Sequence, residues 1–473
     1  MRSNKLTRLV SAGLVVTMLL AQAACAKEDT SKKVTIEPME PEESYALSFD
    51  ILGGKDVMPV GGFDGPYSGR NHSPNAQPLP DFFTEEYMKT FAECGVNLIL
   101  YAEDDYATEK GQKLLDFGEK YGVGIFINDN SICNMRGKDE KLSVELLSEK
   151  VAKYRNHPAF CGLYLVDEPG GKTYWTKDAG NNMEDYTNLS GILRNDLGLE
   201  LYENLITINS KSQEGQYEGY LEEYCETMHP SYISFDHYVW DEGGTKNLFL
   251  YNTAIVREYA QKYKLPFWTY IAAGSNWSMT GIETENNTPT EGQFDWSINA
   301  SLALGAQGIE YFMLIQPFYF AYTPEPNVFD FERNGLLGAR GNKNRWYYYA
   351  QDISKQISAI DHVLMNSVSK GVIASGEDAK MDISGARDVM IKEDSWRELA
   401  GVEGDAIVGC FNYQGKTALY VVNYDETYAQ DITLNFYDKY KMQVIQAGET
   451  KYVQADKLTL NMEAGDGILI VVQ

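Results

Sequence analysis

Residues 156–169, Asn-His-Pro-Ala-Phe-Cys-Gly-Leu-Tyr-Leu-Val-Asp-Glu-Pro, decide how the rest of the chain is read. Gly162–Asp167 is a short apolar and aromatic run, and Pro169 stops it and fixes the turn that follows. Upstream lie three runs of the same kind, Val57–Phe63, Asn97–Ala102 and Gly124–Asn128; downstream lie Leu205–Asn209, Tyr232–Tyr238, Pro266–Ile271 and Gly308–Ile315. Helical patterns separate them, including Thr84–Cys94, Gly111–Tyr121, Ser143–Tyr154, Leu248–Tyr263 and Glu291–Leu304, with Thr84 and Thr290 placed as N-caps. Eight strand–helix units in about 315 residues predict a (β/α)8 barrel. A doubly wound open sheet competes with it, but no Gly-rich phosphate loop follows the first strand. Beyond the long helix pattern Arg345–Leu364 the texture changes to short strands with turn signals. This predicts an α/β architecture of a TIM-type barrel over 46–365, followed by a small antiparallel β-sandwich over 366–473.

The chain of 473 residues has 68 Asp and Glu against 41 Lys and Arg, a formal charge of −27, with 44% hydrophobic residues. It carries ample material for a core and is not a disordered tail. Nucleic acid is excluded as a partner, because phosphates require clustered cations. The acidity is dispersed, as on a solubilising surface. Residues 1–24 read as an export signal: Arg2, Lys5 and Arg8 precede an apolar stretch, Leu9–Leu20. Its end, Ala21-Gln22-Ala23-Ala24-Cys25, resembles a bacterial lipobox, with Gln22 where Leu is usual. Lipidation would attach the chain to a bacterial membrane through Cys25; cleavage at an A-x-A site is the other outcome. Residues 25–45 then read as a tether. The remaining cysteines, Cys94, Cys133, Cys161, Cys225 and Cys410, are odd in number and widely spaced, and no CxxC or HExxH occurs. No disulfide framework, metal or cofactor is called for.

Barrel chemistry gathers at the carboxyl ends of the strands. There the sequence places Glu103 after strand two, Asn128 and Asp129 after strand three, Asp167 and Glu168 after strand four, and Asp236, His237 and Tyr238 after strand six. Trp268 and Tyr270 end strand seven, with Trp277 beyond it, and Asp64 follows strand one. Carboxylates beside aromatic rings suit glycosidic bond cleavage: one carboxyl group protonates the leaving oxygen, a second attacks or activates water, and rings stack on sugar faces. Glu168 is the expected general acid, its pKa raised by its setting. Asp167, His237, Tyr238, Trp268, Tyr270, Trp277, Asn128, Glu103 and Asp64 are candidate sugar contacts. The aromatic loop Phe318–Phe331 is a candidate rim, and Trp296 is assigned to the core.

The segment running from His157-Pro158 through Gly162 to Asp167-Glu168-Pro169 resembles glycoside-hydrolase-like barrel proteins of bacteria, relatives of the clan A glycosidases and the β-galactosidase barrels. Tyr232–Tyr238, Leu265–Tyr270 and Pro289–Tyr311 resemble the same group. The resemblance implies an acid/base carboxyl at the end of strand four, which falls on Glu168. Two departures stand out: Asp167 occupies the position of the clan's Asn, and strand seven runs Tyr270-Ile271-Ala272-Ala273-Gly274, without the clan's Glu nucleophile. Asp236 is the favoured second carboxylate, with Glu310 and Glu103 behind it. The expectation is an exported, lipid-anchored glycoside hydrolase acting on a β-linked oligo- or polysaccharide. The competing expectation is a surface lipoprotein that binds glycans on the same barrel without cleaving them.

Overall fold

Eight short strands close into a parallel barrel in chain order. They are β1 Val60–Gly62, β2 Leu98–Ala102, β3 Gly124–Ile127, β4 Phe160–Asp167, β5 Leu201–Leu205, β6 Ile233–Phe235, β7 Phe267–Ala272 and β8 Ile309–Phe312. β1 pairs with β2 on one side and with β8 on the other, so the ring has no free edge. The computed structural model describes residues 34–63, 65, 80–102, 109–136, 142–172, 182–208, 216–240, 244–274, 289–316, 334–383, 389–391 and 393–473.

The barrel interior is filled by rings. Phe126, Tyr164, Tyr202, Tyr232, Trp268 and Tyr270 form one buried cluster, with Tyr232 and Trp268 stacked 4.0 Å apart. Ile51 packs at the amino end of β3, beside Gly124, and Phe49 meets Phe126 edge-on at 5.7 Å, closing the bottom. Phe63, Tyr238 and Phe312 pack onto the same cluster. Outside, the helices bury their apolar stripes against the strands, as in Glu85–Glu93 with Met88 and Phe91. Thr84 caps that helix, accepting from the Tyr87 amide, and Thr290 forms a reciprocal capping box with Gln293.

Strand five lies four residues earlier than the sequence pattern places it. Glu203 in its middle is charged, yet it is buried because it is neutralised. Arg194 holds it through two bonds of 3.0 and 2.7 Å, and Tyr224 donates a third at 3.0 Å. A buried carboxylate is tolerable only with such partners. Ile206 and Thr207, which the pattern assigns to the strand, lie past its end.

The C-terminal region is one antiparallel sheet of seven strands: β9 Ser367–Ser375, β10 Leu399–Glu403, β11 Ala406–Tyr413, β12 Lys416–Asn423, β13 Gln430–Gln446, β14 Glu449–Met462 and β15 Gly467–Val472. β9 and β10 escape the sequence reading, and β13 is one long strand where two short ones are expected. The register of β13 against β14 shifts between Asn435 and Tyr440, a bulge that bends the pair. Ile432 and Leu434, before the bulge, then pack with Val408, Cys410, Val421 and Ile470 in a single core, which gives the sandwich from one folded sheet.

The other face of this sheet packs on the helix Glu291–Leu304, buried along most of its length, including Trp296. Tyr420 Oη donates to Asn299 Oδ1 at 2.6 Å, and Asn299 Nδ2 donates to the Gly465 carbonyl at 2.8 Å. Within the span read as a tether, the backbone carbonyls of Glu37 and Glu40 accept from Arg397 and Asn412, and Ser44 accepts from Gln307. One close approach between the sheet and this helix is at Gly409: a Cβ there would lie 2.3 Å from the Ala303 carbonyl oxygen. Gly409→Val should therefore cost about 1–3 kcal/mol by overpacking a backbone contact. Chemical denaturation followed by tryptophan fluorescence measures it; an unchanged midpoint would contradict this packing.

Candidate active site

The carboxyl ends of β4, β5, β6, β7 and β8 surround a pocket lined by Phe63, Asp167, Glu168, Asn204, Asp236, Tyr238, Tyr270 and Phe312. It encloses about 480 Å3 of space continuous with solvent. Four aromatic rings make its walls and three carboxyl groups converge in it. Phe63 packs near Phe312 at 5.6 Å, and Tyr238 lies 5.8 Å from Phe312, so the walls are continuous.

Glu168 owes its orientation to the backbone. Its φ is +44°, in the left-handed region that a side chain with a Cβ seldom occupies. Its amide donates to the Asn204 carbonyl at 2.9 Å, and Tyr220 anchors the next residue by donating to the Pro169 carbonyl, also at 2.9 Å. Strain held in place by neighbouring bonds is a frequent property of functional residues. Asp236 follows β6, on the far side of β5 from Glu168, and is fixed there by its amide donating to the Leu205 carbonyl at 3.1 Å.

Glu168 and Asp236 are in direct side-chain hydrogen-bond contact. Two carboxyl groups this close cannot both ionise, and they hold a proton between them. Burial raises both pKa values, and the charge of Asp167 adds to the rise on Glu168. Asp167 opens onto the pocket, while the protein around its other sides raises it to about 6, against the pull of Asn204 Nδ2, which donates to it at 3.1 Å. At neutral pH the pocket holds a protonated pair beside an ionised Asp167.

Beneath the pocket lies Glu310, 1% exposed. Burial pushes it up to about 8. Ser234 donates to its Oε2 at 2.7 Å and also lies 3.1 Å from Asn204 Oδ1. A polar chain therefore runs from Glu310 through Ser234 and Asn204 to Asp167. Tyr202 donates to the Tyr270 hydroxyl at 2.7 Å, tying the pocket wall to the same layer.

The other expected residues divide. Tyr238 and Tyr270 reach the pocket. Trp268 does not, because it sits one layer deeper, fully buried against Tyr232. His237 turns away from the pocket to the helix Lys246–Tyr263, its Nδ1 2.9 Å from Asn252 on that helix and 2.8 Å from Thr207, which lies past the end of β5. Burial pushes its pKa down to about 4, so it is neutral. Asn128 is buried outside the pocket lining, and Asp129 caps a short helix and binds Tyr154 and Lys153. Asp64, Glu103, Trp277, the loop Phe318–Phe331 and Cys25 lie outside the described residues. Among the described residues no cluster of three or more His, Cys, Asp or Glu is placed to hold a metal ion, and no helix is long and apolar enough to cross a membrane. Phe63, Asn204 and Phe312 are pocket residues that the sequence reading does not single out.

The fold and pocket define a (β/α)8 barrel with a carboxyl-rich site at its strand ends. No protein-family model matches the sequence, and no curated protein is significantly similar to it. Solved structures that it resembles include a beta-galactosidase from the psychrophilic Marinomonas ef1, at 13% identity and TM-score 0.44 over 67% of this chain and 63% of that one, so that less than two thirds of that enzyme is matched. Others are a glucosidase from Croceicoccus marinus, at 11% identity and TM-score 0.44 over 92% and 97% of the two chains, and a family 39 glycoside hydrolase from Bacteroides cellulosilyticus, at 13% identity and TM-score 0.45 over 89% and 82%.

The raised pKa of Glu310 has a consequence for stability. Between the usual Glu value of 4.5 and about 8, the folded protein holds a proton that the unfolded chain has lost. This contribution is complete below pH 4.5 and disappears as pH rises through 8. Glu310→Gln should flatten the fall in unfolding free energy between pH 5 and 8, removing a slope of up to about 1.4 kcal/mol per pH unit. Urea melts across that range test this; an unaltered slope would show that Glu310 is ionised in the fold.

Proposed function

We propose that this protein is a glycoside hydrolase, exported and held at a bacterial membrane by a lipid on Cys25, that cleaves a β-linked oligo- or polysaccharide. The observation that carries the reading is the convergence of three carboxyl groups with raised pKa values in a pocket walled by four aromatic rings. Rings stack on the apolar faces of sugars, and carboxyl groups kept partly protonated near neutrality supply the acid that a glycosidic oxygen needs. The basic amino terminus and the sequence leading to Cys25 support the export part of the reading.

In this mechanism the Glu168–Asp236 pair stores the proton, and Glu168 delivers it to the leaving oxygen. Asp236 is the proton-sharing partner in the unliganded pocket and the second carboxylate once the sugar parts the two. Asp167, ionised above about pH 6, stabilises the positive charge that develops at the anomeric carbon. Tyr270 and Phe312 position the ring.

A second reading, glycan binding without cleavage, is favoured by two features. Carboxyl groups in hydrogen-bond contact are nearer than the ~5 Å of a nucleophile and acid or the ~6.5–9.5 Å of a water-activating pair. Strand seven also contributes Tyr270 where a carboxylate would complete a double displacement.

Kinetics on a panel of aryl glycosides separates the two. Hydrolysis predicts a bell-shaped pH profile of kcat/KM, rising as Asp167 ionises through about 6 and falling as the pair loses its proton. Glu168→Gln should lower kcat/KM about 10²–10⁴-fold and leave sugar binding in place. Absent hydrolysis across the panel, with oligosaccharide binding intact in both proteins, would establish the binding reading instead.

A further inference from the structure

At the opposite end of the barrel, Arg257 presents an unpaired positive charge. It lies on the helix Lys246–Tyr263 and is 5% exposed. Among the described residues its hydrogen bonds run only to Ser369 on β9: Nε and Nη2 to the hydroxyl at 3.3 Å each, and Nη2 to the carbonyl at 3.2 Å. Among the same residues Nη1 has no partner and no carboxylate lies within salt-bridge distance. Burial pushes its pKa down to about 10. The contrast with Arg194, whose guanidinium is spent on Glu203, is plain. Buried cations are normally paired, because removing one from water costs several kcal/mol.

The guanidinium borders a small cleft, open to solvent on one side, between the amino ends of β7 and β8, the start of β9 and Tyr45. Leu265, Phe267, Leu364 and Phe411 give it apolar walls. The polar groups around it are largely committed: Gln307 donates to Ser44 and to the carbonyls of Leu364 and Ser367, Gln261 donates to the Ser369 carbonyl, and Ser367 donates to the Val363 carbonyl. The Ser369 hydroxyl accepts from Arg257, which leaves its own proton free to donate into the cleft.

We propose that this cleft is a binding site for a short monocarboxylate. The carboxylate would take the free Nη1 edge of Arg257 and the Ser369 proton, and its short apolar body would lie against Phe267 and Phe411. A guanidinium fork matches a carboxylate in geometry and in single charge. One cation with no second basic residue in the lining balances a monoanion and leaves a phosphate dianion half neutralised. The site is separate from the strand-end pocket and independent of what that pocket does.

Isothermal titration of the purified protein with acetate, propionate and butyrate, at constant ionic strength against chloride, tests this. The expected result is saturable binding of one carboxylate per chain, with a dissociation constant of about a millimolar, and a rise in Tm with ligand that chloride does not give. Arg257→Gln should weaken binding at least 10-fold. Arg257→Lys, which keeps the charge and loses the fork, should also weaken it about 10-fold and serves where the glutamine variant does not fold. Wild-type protein that shows no saturable binding to any of the three acids overturns the proposal. So does a folded Arg257 variant that binds them as tightly as the wild type.

Discussion

Closure of the barrel depends on its first strand, three residues long. Val60, Gly61 and Gly62 must pair with β2 on one side and β8 on the other. A Cβ on Gly62 would sit 2.2 Å from Leu314, and one on Gly61 3.0 Å from Leu100. Bare backbone lets the ring shut around an interior filled with tyrosine, phenylalanine and tryptophan. Once it is shut, the ends of β4 and β6 are held on one rim with β5 between them, and Glu168 and Asp236 are brought together in the unliganded pocket. Their shared proton is thus a product of topology as much as of residue type.

That proton sets the chemistry available in the pocket. An exposed glutamate is ionised at neutral pH and has nothing to donate. Burial and the neighbouring charge of Asp167 reverse this for Glu168, while Asp167, open to solvent, remains the group that ionises first. The layer below reinforces the arrangement, since Ser234 and Asn204 link Glu310 to Asp167 and fix its orientation. The β-sandwich contributes at a distance by covering the helix Glu291–Leu304, which would otherwise expose an apolar surface on several sides.

Much of this was legible in the residues. The eight apolar runs and the carboxylates ending strands four and six led to the barrel and to the pair at its rim. Errors came where a side chain's direction mattered. Successive residues leaving a strand point to opposite sides, so Asp236 and Tyr238 face the pocket while His237 between them faces the helix. Trp268 and Tyr270 share the inward side, but two residues of rise put Trp268 a layer deeper. Asn204 was overlooked because Glu203 disguised its strand: a buried ion pair with Arg194, nine residues away, leaves no local signature. Contact between Glu168 and Asp236 is likewise a matter of tertiary geometry that spacing in the chain does not encode.

Carbon-13 NMR titration of the side-chain carboxyl groups measures the shared proton directly, with Glu168→Gln and Asp236→Asn used to assign the two signals. The account predicts that the pair retains one proton at pH 7 and that removing Glu168 lowers the pKa of Asp236. Two independent titrations, both complete below pH 5, would contradict it.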